Sequence, residues 1–570
     1  MAALRSPSPR RRLSPPLLLG ILLAALAGPA QAVGPRAFPE TQFPAGFEAY
    51  HTYAEMVAEL DAAVADHPAI VRKFSIGQSY EGRELWAAKI SDNVALDEDE
   101  PEALFDSLTH AREHLTVEMN LYLLNLLTDG YGNNARITSI VNSREIFLVF
   151  MVNPDGGEFD FAGDEFAFWR KNRQPIPGST QLGLDLNRNF GFKWGCCNGS
   201  SGQPRSETYR GWAAWVAPEV QAYRDFIRSR VVGGRQQLRV AISWHASMEL
   251  ILWPYGYSAD PTVRTMTADD RQTYAALGEQ MAALNSYTAQ PSHELYVTDG
   301  DQSSWSHYEQ RIFHFTIEMY PSDINFYPSA DHIVPETARN REAVLFLLEQ
   351  ADCPYRAAGL GTTLCGPLAD DFEIDRGWQV NAFGTDTAKG GRWERGIPAK
   401  TRNGGGVKQR AKVPSGQSDL VTGRLAGSSA TANDLDGGVT SALSPAFRLD
   451  GGSGWRLFLR LTFAHDSRST SADFLRVSVV EGATRTVVWS VTGKRQNRNA
   501  RWTARTFNLD AFAGRSVRLL IEAADGGVNN LVEAAVDDVR VYRAVAAVAA
   551  PAGPTTRAPS SRLPIGVFAA

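Results

Sequence analysis

Near Leu368 the hydrophobic period of this 570-residue chain changes. From about Thr41 to Pro354, unbroken apolar runs such as Ile146-Phe147-Leu148-Val149-Phe150 and Val240-Ala241-Ile242-Ser243-Trp244 alternate with helical patterns. An apolar run without polar alternation is a strand buried on both faces, which requires helices packed over a sheet. The helical patterns include Leu115 to Tyr131, Glu219 to Arg230 behind Pro218 at a first-turn position, and Glu336 to Gln350. This half is therefore predicted to be α/β, with a mixed or parallel central sheet flanked by helices. Beyond Leu368 strict alternation takes over: Trp455, Leu457, Leu459, Leu461 and Phe463 fall on one face, Arg456, Arg460 and Thr462 on the other. Similar strands are expected at Phe474–Val480, Thr486–Val491, Val517–Glu522 and Ala534–Tyr542, which predicts an all-β jelly-roll sandwich. One core cannot serve a chain of this length. The predicted domains are residues 42–355 and 368–543, joined by a linker at 356–367 and followed by an Ala/Pro-rich disordered tail at 544–570.

The N-terminus reads as an address. Arg5 and Arg10-Arg11-Arg12 precede an apolar run from Leu17 to Ala27, and Ala30-Gln31-Ala32 fits a cleavage site. Residues 1–32 are thus expected to be a secretory signal peptide and 33–41 a short linker. No later segment has the length and apolarity of a membrane span. A net charge of −6 gives no reason to expect nucleic-acid binding. The expectation is a secreted (extracellular or periplasmic) monomer without a membrane span. The four cysteines suit an oxidising compartment. Of their three pairings the local Cys353–Cys365 bridge is preferred, which leaves Cys196 and Cys197 as a vicinal pair.

His110-Ala111-Arg112-Glu113 follows the apolar run Ala103-Leu104-Phe105 and precedes an amphipathic stretch, so it reads as a strand end meeting a helix start. An imidazole and a carboxylate three positions apart can converge on one metal ion, and zinc chemistry needs a third protein ligand and an open position. Because His114 follows, the stretch also reads H-x-x-E-H, the inverted zincin pattern, with Glu113 as base. That reading needs a further acidic ligand downstream, and Leu182 to Asn198 offers only Asp185.

The surrounding blocks settle the choice. Thr109-His110-Ala111-Arg112-Glu113, Asn153-Pro154-Asp155-Gly156, Trp169-Arg170-Lys171, Asp185-Leu186-Asn187-Arg188-Asn189, Ser206-Glu207-Thr208-Tyr209, Pro254-Tyr255-Gly256-Tyr257 and Phe315-Thr316-Ile317-Glu318 occur in this order. The chain resembles the zinc metallocarboxypeptidases of the carboxypeptidase A/B type, with most likeness to their bacterial secreted carboxypeptidase T branch. The resemblance implies one zinc ion per chain on His110, Glu113 and His245, with His114 a neighbour and not a ligand. It implies Glu318 as the general base that takes a proton from water and passes it to the leaving amine. It further implies Arg170 as oxyanion stabiliser, Asn187, Arg188 and Tyr296 as the clamp on a substrate's terminal carboxylate, and Arg112 on a more remote part of the substrate.

The terminal side chain is expected to enter a pocket walled by the loop after Tyr296, with Asp301 at its mouth or wall and Ser303 at its base. A mixed preference follows, for apolar and aromatic ends with Lys and Arg tolerated. The acidic loop around Asp92 to Glu102 suggests a hard cation. Likeness to calcium-stabilised members implies structural calcium on Asp97, Glu98, Glu100, Glu102 and Glu145, and the Asp434-Leu435-Asp436 turn is a lesser candidate of the same kind. With only about ten residues between Ala32 and the enzyme unit, no folded inhibitory segment is expected. The predicted substrates are peptides or proteins with a free C-terminus. The alternatives are a peptidoglycan stem-peptide carboxypeptidase on the same fold and a non-catalytic surface-binding protein.

Overall fold

The computed structural model describes residues 42–544 except 164, 233–234, 261, 404, 426–432 and 528–529. The expected signal peptide, N-terminal linker and almost all of the tail lie outside the described residues. Two hydrophobic cores share no residue: one runs from Phe43 to Ala351, the other from Leu368 to Val541.

The first core surrounds an eight-stranded mixed sheet. Its strands are β1 (Val71–Gln78), β2 (Glu84–Ile90), β3 (Glu102–Asp106), β4 (Glu145–Val149), β5 (Leu238–Ala246), β6 (Leu250–Trp253), β7 (Thr288–Pro291) and β8 (Phe313–Met319), in the spatial order β1-β2-β4-β3-β5-β8-β6-β7. The four central strands β4, β3, β5 and β8 run parallel to one another. Every residue of β3 and β4 is buried, as their unbroken apolar runs require. The helix Leu115–Gly130 packs on β4 and β5, and Ala268–Asn285 packs on β6 and β7. Parallel strands present all their C-terminal ends on one edge of the sheet, the usual place for a ligand crevice. Here that edge carries the loop after β3, the turn after β4 and the last residues of β5 and β8.

Most predicted helices match observed ones: Leu115–Gly130 and Pro218–Ser229, the latter opening on its proline. The single helix expected from Glu336 to Gln350 is instead two, Ile333–Arg339 and Arg341–Gln350. Asn340 explains the break. Its buried side chain donates to Glu336 O at 3.0 Å and to the Tyr287 hydroxyl at 3.3 Å, and accepts from Asn285 Nδ2 at 2.9 Å. A side-chain amide thus takes a carbonyl that helix continuation would have used.

The second core lies between two antiparallel sheets. One orders Trp393–Gly396, Asp419–Thr422, Val532–Arg543, Trp455–His465 and Thr503–Asn508, with Leu368–Asp370 also paired to Val532–Arg543. The other orders Gln379–Val380, Gly438–Leu443, Ser516–Asp525, Phe474–Glu481 and Thr484–Thr492. Trp455, Leu457, Leu459, Leu461 and Phe463 all enter the core between them, which is the face that alternation assigned. Both cysteine bridges form as expected, Cys353–Cys365 and Cys196–Cys197.

Polar ties join the two cores. Arg311 donates from one Nη2 to Asp270 at 2.7 Å and to Asp371 at 2.8 Å, and Arg540 donates to Asp269 at 2.8 Å. Arg311 is 8% and Asp270 2% exposed. Breaking a buried pair leaves an uncompensated charge, so Arg311→Ala is expected to cost about 3 kcal/mol or more in urea unfolding. Arg540→Ala, at a more open pair, should cost about 1 kcal/mol or less.

Candidate active site

The loop after β3 is held before any ligand enters the picture. Asn153, the cap of the helix Pro154–Asp160 that follows β4, donates from Nδ2 to Thr109 O at 3.3 Å and to Lys171 O at 3.1 Å, tying the His110 loop to the Arg170 segment. Its backbone N–H meets Leu108 O at 3.0 Å. Gly156 is required beside it, because a Cβ there would lie 2.6 Å from Lys171 O. Asp155 is anchored by Ser79 Oγ, Glu81 N and Arg83 Nη1 at 2.7, 2.7 and 2.8 Å. The Asn-Pro-Asp-Gly block is therefore scaffolding for the site.

His110, Glu113 and His245 converge. His110 Nδ1 lies 2.8 Å from Glu113 Oε1, His245 Nδ1 lies 2.9 Å from Glu113 Oε2, and the two Nδ1 atoms are 3.0 Å apart. Two imidazole nitrogens facing one carboxylate suit a shared cation, because neutral imidazole and carboxylate are the forms that ligate. The outward nitrogens are also held: His110 Nε2 is 3.3 Å from Asp185 Oδ1, and His245 Nε2 is 3.2 Å from Ser243 Oγ, which donates to Asp106 at 2.8 Å. Such outer partners fix the rings that hold a metal. Burial keeps His245 below the usual imidazole range, in the neutral form. The donor set fits zinc.

Glu318 sits beside this group by register, since β8 pairs in parallel with β5 and places Glu318 opposite His245. Burial and the Glu113 charge push its carboxyl well up, against the pull of Arg170 and Arg188. Arg170 donates through Nε and Nη2 to Asp185 Oδ2 at 3.1 and 3.0 Å, which leaves its Nη1 edge 4.0 Å from Glu113. Asp185 is fully buried; burial opposes its ionisation, but Arg170, His110 and Arg188 outweigh that and hold it well below the carboxylate range.

Arg188 is 1% exposed and bonded to uncharged groups: Gly199 O at 3.2 Å, Asn187 O at 2.7 Å and the Tyr296 hydroxyl at 3.3 Å. Gly199 is positioned by buried Asp299, which accepts from Gly199 N at 3.0 Å and Cys197 N at 2.9 Å, so the vicinal-cysteine loop supports Arg188 from behind. Asn187 accepts from Gln302 N at 2.9 Å through its Oδ1. Arg112 lies over the Phe326 ring at 4.1 Å and donates to Phe168 O at 3.3 Å.

A cavity of about 250 Å³ joins these groups, lined by His110, Glu113, Arg112, Arg170, Asn187, Arg188, Tyr296, Asp301, Ser303 and Glu318. Its far wall adds Met248, Leu252, Thr316 and Ile324, which sequence reasoning did not single out. Thr316 was within reach of it: two residues before Glu318 on one strand, it must share that face. Leu252 is its antiparallel partner. Asp301 does line the cavity, but it is also the cap of the helix Gln302–Gln310, accepting Ser304 N at 2.8 Å and Ser303 Oγ at 3.2 Å. His114 points elsewhere, to Asp160 at 3.0 Å, and packs on Phe43 and Phe161.

The acidic loop departs from expectation. Asp97, Glu98, Glu100, Glu102 and Glu145 do not meet at one point. Asp97, Glu102 and Glu145 form one group, neutralised by Arg230 and by Lys89, which donates to Glu145 at 2.7 Å. Glu98 and Glu100 instead join Asp92. Buried acids recruited cations from the protein itself, Arg230 from the end of a distant helix, and no local sequence signal could have paired them.

Comparison with known proteins agrees with this geometry. Residues 56–343 match the family model described as zinc carboxypeptidase. The chain is 46% identical over 336 residues to a zinc carboxypeptidase of Saccharothrix mutabilis subsp. capreolus, covering 58% of this chain and 77% of that one. It is 30% identical over 313 residues to human carboxypeptidase A1, covering 54% and 72% respectively. Among solved structures, thrombin activatable fibrinolysis inhibitor aligns at 26% identity and a TM-score of 0.48, covering 53% of this chain and 74% of that one. With this family model over half of its length and the 46% identical relative, the chain belongs to the zinc carboxypeptidase family and is a metallopeptidase.

Proposed function

We propose that the protein is an exported enzyme that removes single residues from the C-termini of peptides and proteins, with broad preference for the residue removed. The observation that carries this reading is Arg188, a buried guanidinium at the cleft with no carboxylate in salt-bridge contact among the described residues. Arg170, a short distance away, has Asp185. A substrate's terminal carboxylate would complete Arg188, and planar bidentate pairing suits that match. The Tyr296 hydroxyl and the free Nδ2 of Asn187 are placed to share it.

His110, Glu113 and His245 would hold zinc, which supplies a Lewis acid for the scissile carbonyl and a lowered pKa for water. Glu318 accepts the proton of the attacking water and delivers it to the leaving amine. The Nη1 edge of Arg170 meets the oxygen on which negative charge develops. Arg112 holds substrate farther from the cut bond. Export rests on the basic, then apolar, N-terminal sequence, and no helix among the described residues is long and apolar enough to cross a membrane.

The pocket combines apolar Leu252, Met248 and Ile324 with the carboxylate of Asp301. That mixture supports cleavage after apolar or aromatic ends with Lys and Arg accepted. A structural calcium fits the Asp92, Glu98 and Glu100 group better than the Arg230-paired one, since each of these three acids has a buried oxygen without a partner.

Three outcomes test the reading. Glu318→Gln is expected to lower kcat by about 10³-fold on a C-terminal peptide while KM changes little; unchanged hydrolysis would sink the mechanism. Arg188→Lys should lower kcat/KM for free-carboxylate substrates by about 30-fold or more, because a point charge cannot replace the two-pronged contact. Peptides ending in a carboxamide should be poor substrates of both forms. Asp301→Asn keeps a good helix cap but removes the charge, so kcat/KM for peptides ending in Arg or Lys should fall about 10-fold relative to those ending in Phe. An unchanged ratio would remove Asp301 from specificity.

A further inference from the structure

The β-sandwich contains a group of acids that the peptidase cleft does not use. Glu533 lies in the strand Val532–Arg543 between Val532 and Ala534, both of which enter the sandwich core. Alternation turns Glu533 to the opposite face of its sheet. There the hairpin of Thr401–Asn403 and Gly406–Gln409 packs against the strand. Glu533 is only 2% exposed, and neither carboxylate oxygen has a hydrogen-bond partner. The charge it faces is Asp434, also 2% exposed, whose Oδ1 is likewise without a partner. Asp434 is fixed in place because Leu435 enters the core and donates its N–H to Val532 O at 3.1 Å.

More acid surrounds the pair. Asp436 and Asp525 add their fields at Asp434, and Asp473 contacts Asp525, with Asn530 donating to both at 3.2 and 2.9 Å. Nearby basic groups are engaged elsewhere. Arg468 pairs with Asp466 at 2.7 Å, and buried Lys408 directs its ammonium to His465 O at 2.7 Å and Arg498 O at 3.1 Å.

Burying a carboxylate without hydrogen bonds or a counter-charge is costly. A shared proton would draw Glu533 and Asp434 into a hydrogen bond, and they make none. A hard cation removes the cost differently, because it accepts several carboxylate, carbonyl and water oxygens at once and leaves the acids separated. We propose that Asp434 and Glu533 hold a divalent cation of the calcium class on the outer face of this sandwich sheet, with Asp436 and Asp525 supplying outer negative charge. The site lies against the sheet of the second core, apart from the zinc ligands and from the acidic loop of the first. Its role is to lock the hairpin and the Asp434 turn onto the long strand.

The test uses the full-length zinc-loaded chain, desalted and then titrated with CaCl₂ or MgCl₂ in a scanning thermal denaturation. Calcium at about one hundred times Kd should raise Tm by roughly 5 °C. In a Glu100→Gln background, which takes away the acidic-loop group, Glu533→Gln should raise Tm in the absence of calcium, by relieving repulsion, and abolish the calcium response. Asp434→Asn should behave the same way and carries the test alone where Glu533→Gln fails to fold. Glu100→Gln alone, in the acidic loop of the first core, should keep the sandwich's part of the response. A wild-type chain without a calcium shift would overturn the proposal. So would a shift that Asp434→Asn retains in the Glu100→Gln background or that Glu100→Gln alone removes entirely.

Discussion

Asp185 is the charge on which the cleft is balanced. One buried carboxylate accepts His110 Nε2, the Nε and Nη2 of Arg170, and the backbone N–H of Asn187 at 3.0 Å. His110, Arg170 and Asn187 are thus oriented by the same two oxygens. Its ionisation is secured by the positive charge around it, and the ion pair holds Arg170 at its post. Without Asp185, a buried arginine and an imidazole would each lose an acceptor in a low-dielectric place, where unpaired polar groups are most costly.

The parallel sheet makes this economy workable. Strand ends converge on one edge, so residues as distant in sequence as His110, Asn153, His245 and Glu318 meet without long loops. The loops that do intervene are clamped by side chains: Asn153 ties the His110 segment to the Arg170 segment, and Asp299 ties the Cys197–Gly199 turn to the pocket loop. The chemistry therefore rests on main-chain geometry that is fixed before substrate arrives, which is the condition for electrostatic stabilisation without reorganisation.

Much of this was legible from residue order. Buried strands announced themselves as runs such as Ile146–Phe150, the sandwich as the alternation Trp455 to Phe463, and the metal group as spaced blocks whose order resembles a family. What remained hidden depended on long-range pairing. Arg230 reaching Glu102, Asn340 interrupting a helix through Asn285 and Tyr287, and Asp301 serving as a cap while lining the cavity each involve a partner that sequence proximity does not reveal. The acidic loop is the instructive case: its composition suggested one cation site, yet Asp97, Glu102 and Glu145 pair with Arg230 and Lys89 from elsewhere in the fold.

The two walls of the pocket differ in what they are attached to. Thr316 shares β8 with Glu318, two residues away, and Leu252 is hydrogen-bonded to that strand as its neighbour. Reshaping this wall would move Glu318 with it. Asp301 and Ser303 belong instead to the cap and first turn of a separate element, the helix Gln302–Gln310, which packs on β8. Under the proposed roles, side chains at the helix end could change what the pocket accepts while the strand that carries Glu318 keeps its place.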